Sequence, residues 1–216
     1  CPACLEGRAN LCRDRQIISM PPRPGGFAEF LRIPERNLIE LPAGMEPKIA
    51  ALSEPVATGW HAVVTGERAL HGALTAARCL VIGGGAVGLS AALVLRSRGG
   101  LDIHVAETNP LRRQTAATEK DLTVIDPADR TIDDNAFDLV IDAVGGAETR
   151  RLASAAVSPG GVIVHIGLLE AEGGLDIRKM TLQEVTFIGT YTYTMDDFRD
   201  TVAALHSGAL GALNWV

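Results

Sequence analysis

The stretch VIGGGAVGLS, residues 81–90, decides the fold of this 216-residue chain. It joins a short apolar run to an alanine- and leucine-rich segment through glycines in the spacing G-x-G-x-x-G, at Gly83, Gly85 and Gly88. Between a strand and a helix, this spacing is typical of the turn that binds the diphosphate of a dinucleotide. We expect Gly83 to allow a tight turn, Gly85 to let the backbone approach the phosphates, and Gly88 to permit close helix–strand packing.

The residues that follow the glycine turn are the expected partners of such a ligand. The N–H groups of Ala86 and Val87, at the helix start, are expected to face the phosphate charge. Glu107 ends the next apolar run, 22 residues after Gly85, close to the ~20-residue offset of the carboxylate that binds the ribose hydroxyls. A carboxylate there favours NAD over NADP, because it repels a 2′-phosphate. As a plain strand end, Glu107 would simply be solvated.

Two arginines leave the choice between NAD and NADP open. Arg112 and Arg113 follow Glu107 closely, and an arginine near that position accommodates a 2′-phosphate. We interpret Arg112 as packing near the adenine and expect NAD to be the cofactor.

Beyond the glycine turn, short apolar runs alternate with helical segments. The predicted strands are 78–83, 102–107, 121–126, 137–145, 160–168 and 184–191, and the predicted helices are 86–98, 111–120, 147–157 and 194–205. Such alternation predicts a parallel sheet covered by helices on both faces. The fold class is therefore α/β, a doubly wound parallel sheet of the Rossmann type.

The ends of the later strands are candidates for the nicotinamide half of the site. In open α/β sheets, ligands bind outside the carboxyl ends of the strands. Val144, Ile166, Gly167 and Leu168 occupy those positions in the fourth and fifth predicted strands. Simple packing of apolar strand ends explains each of them nearly as well.

The first third of the chain has a different character. Residues 27–34 and 37–45 are strand-like, and 47–64 is predicted to be helical, interrupted at residues 54–55, where Ser53 is a possible cap. Cys1, Cys4 and Cys12 form a C-x2-C-x7-C array, which is the spacing of metal-binding thiolates. A closed zinc site needs four ligands, and the remaining cysteine, Cys79, reads as a small buried residue.

Composition excludes some classes of protein. The net charge of -6 includes no basic stripe, which argues against nucleic acid. The uncharged run 79–95 would span about 25 Å as a helix, short of the roughly 30 Å hydrocarbon core, so no membrane span is predicted. Cysteines at metal spacing favour a reducing compartment, and we expect a cytoplasmic protein. His165, in an apolar strand, is expected to be a satisfied core residue.

Taken together, these motifs identify a family. The chain resembles the medium-chain zinc-dependent alcohol dehydrogenases, in particular their polyol, sorbitol and threonine dehydrogenase branch. The residues that carry the resemblance are CLEGRANLC (4–12), GGFAEFLRIPERNLIELP (25–42), ALSEPVATGWHAV (51–63), VIGGGAVGL (81–89), VAETNPLRR (105–113), FDLVIDAVGG (137–146), PGGVIVHIGL (159–168) and FIGTYTYT (187–194). The resemblance covers essentially all 216 residues.

The resemblance implies a domain organisation. Residues 1–54 would be a remnant of a GroES-like β-barrel catalytic domain that carries the structural-zinc lobe. Residues 55–191 would be the NAD-binding Rossmann domain, and 192–216 the start of the return to the catalytic domain. The chain is thus read as truncated at both ends, with one zinc ligand three residues before Cys1.

The resemblance also implies roles for individual residues. Cys1, Cys4 and Cys12 would ligate the structural zinc. Glu54 would reach the catalytic zinc, directly or through its bound water, and Thr58 would sit beside the nicotinamide. Without the family, Glu54 is simply an acid that complements the dipole at a helix start.

The implied activity is zinc-dependent, NAD(P)-linked oxidation of a secondary alcohol or polyol to a carbonyl by hydride transfer. The family's catalytic Cys and Gly-His-Glu motif would lie upstream, so this chain alone is expected to bind NAD without turnover. A homodimer or homotetramer is expected for the intact parent, through the strand FIGTYTYT, residues 187–194. Two alternatives stay open: a zinc-independent quinone or enoyl reductase of the same superfamily, which the cysteine cluster disfavours, and a non-catalytic NAD-sensing Rossmann module.

Overall fold

The computed structural model describes residues 1–213; the last three residues of the predicted return segment, 214–216, lie outside them. At its centre is a six-stranded, all-parallel sheet with the order β3-β2-β1-β4-β5-β6. The strands are β1 (Arg78–Ile82), β2 (Asp102–Ala106), β3 (Leu122–Ile125), β4 (Phe137–Asp142), β5 (Val157–His165) and β6 (Thr186–Gly189). This order places the topological switch point between β1 and β4, and the predicted doubly wound sheet is confirmed.

Helices cover both faces of the sheet, and the first three of them precede β1 in the chain. They are α1 (Pro2–Leu5), α2 (Pro47–Ala50), α3 (Ser53–Ala69), α4 (Ala86–Ser97), α5 (Pro110–Ala116), α6 (Ala147–Ala156), α7 (Ile177–Leu182) and α8 (Met195–Ser207). Three 3₁₀ turns occupy Ala9–Leu11, Glu35–Asn37 and Leu74–Ala76. The predicted helix 194–205 corresponds to α8, which begins at a Thr194–Asp197 capping box and ends at Gly208 in the left-handed conformation.

The core has two layers, one on each face of the sheet. Val81 packs with residues of α3, α4 and α8, whereas its neighbour Leu80 packs with residues of α6. Both side chains are fully buried, because successive residues of a strand point to opposite faces. The contribution of α8, including Leu205, lies in the same layer as that of α4.

The N-terminal third departs from the prediction. The strands expected at 27–34 and 37–45 are wrong: before Arg78 the described residues contain no strand. A strand needs a neighbour to receive its backbone hydrogen bonds, and these segments have none. Phe27 and Phe30 stand almost completely in solvent, and no residue before Ser53 is buried.

The start of α3 also differs in detail. The break between helices falls at residues 51–52 rather than 54–55, and Leu52 is the N-cap. Ser53 is therefore not the cap, and its buried Oγ has no hydrogen-bond partner among residues 1–213. Pro55 fits within the first turn, where its missing N–H is not needed.

Helices that could cross a bilayer were sought in residues 1–213, and none combines the necessary length with the necessary apolar character.

Candidate dinucleotide site and metal centre

The glycine turn holds α4 against the end of β1. Gly83 has a φ of +97°, and its N–H donates to the carbonyl of Ala106 at 2.8 Å. A Cβ on Gly88 would lie 1.9 Å from the carbonyl oxygen of Gly83, so only glycine allows this approach. A Cβ on Gly85 would meet only the end of the Arg112 side chain, at 3.9 Å. The turn is thus tight on its protein side and open towards solvent.

The N-terminus of α4 points its backbone donors at this open space. Gly85 is the N-cap, without a side-chain cap from residues 1–213, and its carbonyl accepts from Leu89 at 2.8 Å. Helix geometry leaves the N–H groups of Ala86 and Val87 without an intrahelical acceptor. The dipole of this 12-residue helix adds positive potential at the same end. The site therefore suits an anion such as a diphosphate.

Glu107 lies beside the turn, as its spacing predicts. Its carboxylate is 5% exposed and accepts from the N–H of Gly84 and of Asn109, each at 2.7 Å. The guanidinium of Arg112 is 3.8 Å from it. These contacts fix the carboxylate at the end of β2, beside the glycine turn.

The structure separates the two arginines that the sequence left together. Arg113 donates to the carbonyls of Glu107 at 3.0 Å and Thr108 at 2.5 Å, and it pairs with Asp126 at 2.6 Å. It is therefore engaged in holding the turn after β2. Arg112 is the arginine of this pair that faces solvent beside Glu107, and its side chain is 60% exposed.

The loops after β4 and β5 come together at the same edge of the sheet. Val144 approaches the glycine turn, since a Cβ on Gly83 would lie 2.7 Å from its Cγ2. A Cβ on Gly145 would lie 2.1 Å from the carbonyl oxygen of Gly167, so the two loops touch backbone to backbone. Ile166 is partly buried and Leu168 is exposed. The nicotinamide candidates thus form one continuous rim with the glycine turn.

Asp142 is a structural centre of this rim that the sequence reading missed. It is completely buried at the end of β4. Its carboxylate accepts from the N–H of Val144 at 3.0 Å and Gly145 at 2.9 Å, and from the hydroxyl of Thr149 at 3.0 Å. The sequence could have indicated this role, because Asp142 is an acidic residue at the end of an apolar, buried parallel strand. An unpaired charge at such a position would be costly.

Glu54 and Thr58 lie one turn apart at the start of α3. Glu54 is exposed, and the Thr58 hydroxyl donates to the Glu54 carbonyl at 3.5 Å. Burial raises the pKa of Tyr193 to about 12, and the negative Glu54 carboxylate near its hydroxyl adds to this shift. Glu54 belongs to no group of three potential metal ligands within residues 1–213, so these residues do not assemble a catalytic metal site around it.

The three N-terminal cysteines come together as their spacing predicts. The Sγ of Cys1 lies 3.6 Å from that of Cys4 and 3.8 Å from that of Cys12, and all three sulfurs lie within 4.8 Å of one another. In a tetrahedral zinc site with Zn–S bonds of 2.3 Å, sulfurs are about 3.8 Å apart. The triangle therefore fits three corners of a zinc site. A hydrogen bond with Cys12 raises the pKa of the Cys4 thiol, so metal binding has to displace a proton there.

The cysteine lobe is attached to the segment that follows β6. The side-chain amide of Asn10 donates to the carbonyl of Tyr191 at 2.8 Å. The guanidinium of Arg15 lies over the Tyr191 ring, 4.8 Å from its centroid. These contacts tie the lobe to the residues next to Tyr193 and hence to Glu54.

Comparisons with known proteins agree with this architecture. The family model described as "Zinc-binding dehydrogenase" matches residues 86–207. The chain is 32% identical to the L-galactonate-5-dehydrogenase of Escherichia coli, over 98% of the chain and 62% of that protein. It is 29% identical to the (R,R)-butanediol dehydrogenase of Saccharomyces cerevisiae, over 96% of the chain and 56% of that protein. The chain thus spans about three fifths of the length of these curated relatives.

The fold is also similar to solved structures. The L-idonate 5-dehydrogenase of Escherichia coli superposes with a TM-score of 0.88 at 21% identity, over 98% of the chain and 62% of that protein. At this identity the similarity shows the fold alone.

Replacing Gly88 tests the packing on which the turn depends. We expect Gly88→Ala to lower the free energy of unfolding by about 2 kcal/mol, as overpacking does, and to abolish dinucleotide binding, because α4 has to move away from Gly83. Urea unfolding and calorimetry with NADH measure the two effects. Gly72→Ala, at a position with open space around it, is the control. Unchanged stability and binding in Gly88→Ala would contradict the geometry.

His165 is not the satisfied core residue that the sequence predicts, because its Nε2 has no hydrogen-bond partner among residues 1–213. The dependence of stability on pH in the acid range tests the burial of this side chain. Burial lowers its pKa below the ordinary 6.5; Asp142 opposes this shift and Arg150 adds to it. The unfolded chain therefore takes up the proton first, so this contribution to stability is complete above pH 6.5 and is lost as the pH falls towards the folded-state pKa.

We expect His165→Gln to flatten the fall in stability between pH 7 and pH 5, as measured by urea unfolding at each pH. The exposed His71 provides the matched control, His71→Gln, which should leave the slope unchanged. Parallel curves for the wild type and His165→Gln would refute the assignment.

Proposed function

Because this chain belongs to the zinc-binding dehydrogenase family, we propose that it binds NAD across the carboxyl edge of its sheet. We further propose that it serves an enzyme that oxidises a secondary alcohol or polyol to a carbonyl. The observation that carries the proposal is the glycine turn Gly83–Gly88, with the open N-terminus of α4 on one side and the buried Glu107 on the other.

Each part of the cofactor has a proposed partner. The diphosphate rests on the N–H groups of Ala86 and Val87, and the adenosine ribose bonds to Glu107. Arg112 lies against the adenine. The rim residues Val144, Ile166, Gly167 and Leu168 contact the nicotinamide. Bound NAD supplies the hydride acceptor, while the protein fixes its orientation.

We propose NAD rather than NADP. A 2′-phosphate would sit beside the Glu107 carboxylate, which is held in place by two backbone N–H groups. Arg113 does not neutralise that phosphate, because it is engaged with Asp126 and two carbonyls. Of these two arginines, Arg112 is the one that would face both the Glu107 carboxylate and a 2′-phosphate. Its charge is exposed, so salt in the solvent partly screens it.

The N-terminal segment is proposed to be a remnant of a GroES-like catalytic domain, residues 1–54, followed by the nucleotide-binding domain at 55–191 and a return segment at 192–216. The support is that no residue before Ser53 is buried and that Phe27 and Phe30 are exposed. Such side chains are expected where a further part of a domain packs.

A structural zinc is proposed to be bound by Cys1, Cys4 and Cys12. It would cross-link the lobe that contains these cysteines. Their sulfur triangle supports this, and it favours a zinc-containing enzyme over the zinc-independent reductases. Glu54 is proposed to act at a catalytic zinc in the full-length enzyme, as a ligand or through a bound water, with Thr58 beside the nicotinamide. Since residues 1–213 assemble no such metal site around Glu54, we expect this chain alone to bind NAD without turnover.

We also propose self-association and a cytoplasmic location. The edge strand β6 and its surroundings expose apolar side chains, namely Leu168, Leu169, Ile177, Leu182 and Phe187. An apolar patch at an unpaired sheet edge favours pairing with a second copy, as a homodimer or within a homotetramer. The free thiols suit a reducing compartment.

Glu107→Gln tests the choice of cofactor. We expect the Kd for NADH to rise about tenfold, the effect of losing one charge-assisted hydrogen bond, while binding of NADPH strengthens because the repulsion is removed. Calorimetry with both cofactors measures the ratio. Glu148→Gln, an exposed acid on α6, should leave both affinities unchanged. An unaltered NADH-to-NADPH ratio in Glu107→Gln would argue against the ribose contact.

Metal analysis tests the thiolate site. Because the triangle supplies three of the four ligands of a closed zinc site, we expect the chain to bind zinc weakly. Cys4→Ser should bind less still, because a hydroxyl is a poor zinc ligand. Cys79→Ala is the control: this thiol is fully buried in the core, and burial raises its pKa to about 12. Equal zinc content in the wild type and Cys4→Ser would rule out the cysteine triangle as the site.

A further inference from the structure

Arg150, on α6, is a buried cation with an unusual set of partners. It is 5% exposed, and its guanidinium bonds to backbone carbonyls on two loops. It donates to the carbonyl of Gly145 at 2.8 Å, of Glu170 at 2.9 Å and of Gly173 at 2.5 Å, and also to that of Glu172. One side chain thus joins the loop after β4 to the loop after β5.

The loop after β5 is held to α6 by further contacts in the same place. The Glu170 carboxylate accepts from the N–H of Ala147 at 2.6 Å, which caps the start of the helix. The Glu170 N–H donates to the Gly145 carbonyl at 2.9 Å. A Cβ on Gly174 would lie 2.0 Å from the Ala147 carbonyl oxygen. The far end of the loop is therefore seated on the helix that carries Arg150.

On its other side this loop has little support. A cleft of about 680 Å³ opens there, lined by Arg150 itself and by His165, Leu168 and Phe187 among others. Leu168 and Leu169 are exposed. At its β5 end the loop is held by backbone hydrogen bonds, from the N–H of Gly167 to the Asp142 carbonyl at 3.1 Å and from the N–H of Leu169 to the Val144 carbonyl at 3.2 Å. Farther along, Arg150 and the Glu170 cap are the side-chain connections that hold residues 170–173.

We propose that Arg150 is a positioning residue for the nicotinamide end of bound NAD. It is not placed to touch the cofactor; it acts by holding Gly145, which follows Val144, and residues 170–173, which follow the rim residues 166–168, at a constant separation. It thereby supports the backbone hydrogen bonds that join the two loops. The inference rests on the proposed function, since it assumes that NAD occupies the carboxyl edge. It extends that function by giving a buried side chain a part in the geometry of the nicotinamide rim.

The chemistry of the guanidinium suits this task. Its five N–H donors lie in one rigid plane, so it can bond to carbonyls on two loops at once. A lysine has a single nitrogen and cannot span the same set. The neighbouring Arg151 shows the contrast, because its side chain is 59% exposed and pairs with Glu148 on the helix surface.

The test compares two ligands in three variants of the chain. Arg150→Met removes the donors at similar length, Arg150→Lys keeps the charge, and Arg151→Met is the matched control. NADH and ADP-ribose, which lacks the nicotinamide, are titrated by calorimetry, and NADH fluorescence reports how well the nicotinamide is held. Circular dichroism confirms that each variant is folded at the temperature of the titration.

We expect Arg150→Met to raise the Kd for NADH about tenfold, an effect of the size of one charge-assisted hydrogen bond, with a loss of fluorescence enhancement. ADP-ribose binding should change less than about twofold, Arg150→Lys should be intermediate, and Arg151→Met should match the wild type. If Arg150→Met fails to fold, Arg150→Lys decides by the same comparison.

Two results would overturn the proposal. One is unchanged NADH binding in the folded Arg150 variant, and the other is an equal loss for NADH and ADP-ribose, which marks a purely structural role. A wild-type chain that binds neither ligand is a different outcome: it refutes the proposed function itself, and the role of Arg150 with it.

Discussion

The structure depends on the contact between α4 and the end of β1. Because Gly88 has no Cβ, the helix approaches the carbonyl of Gly83 so closely that even one added carbon would lie 1.9 Å from it. This contact sets the direction of the helix, and the direction places its unpaired N–H groups at the edge of the sheet. Glu107 and Val144 then approach the same turn from the two neighbouring strands.

Around this contact, buried charges hold the loops through backbone groups. The carboxylates of Glu107 and Asp142 lie at the ends of β2 and β4, the two strands that flank β1. They accept hydrogen bonds from backbone N–H groups of the adjoining turns. Two arginines, Arg113 and Arg150, donate to carbonyls of those turns. A hydrogen bond with a charged partner is stronger than a neutral one, so a rim built in this way keeps its shape before any ligand arrives. Preorganisation of this kind lowers the cost of binding.

The nucleotide-binding part of the fold could be read from the sequence because each element there is determined locally. The apolar run before Gly83 predicts β1 from its own residues, and the spacing to Glu107 follows from one helix and one strand. The segments 27–34 and 37–45 fail because their pattern is local while their hydrogen-bond partners are not present among residues 1–213. Asp142 and Arg150 were missed for a related reason. A charged residue at a strand end or in a helix is ordinarily solvated, and only the tertiary arrangement shows that these two are buried.

The most direct test of the account is to follow the backbone amides of the turn during a titration. We predict that NADH shifts the ¹H–¹⁵N resonances of Ala86, Val87 and Gly84 first and most strongly, with saturation, because the diphosphate takes the free donors and the ribose engages Glu107. Resonances at the opposite, amino edge of the sheet, such as that of Gly161, should stay unchanged. If NADH does not change the chemical shifts of the amides in the turn, the result would contradict the claim that this glycine turn binds the cofactor.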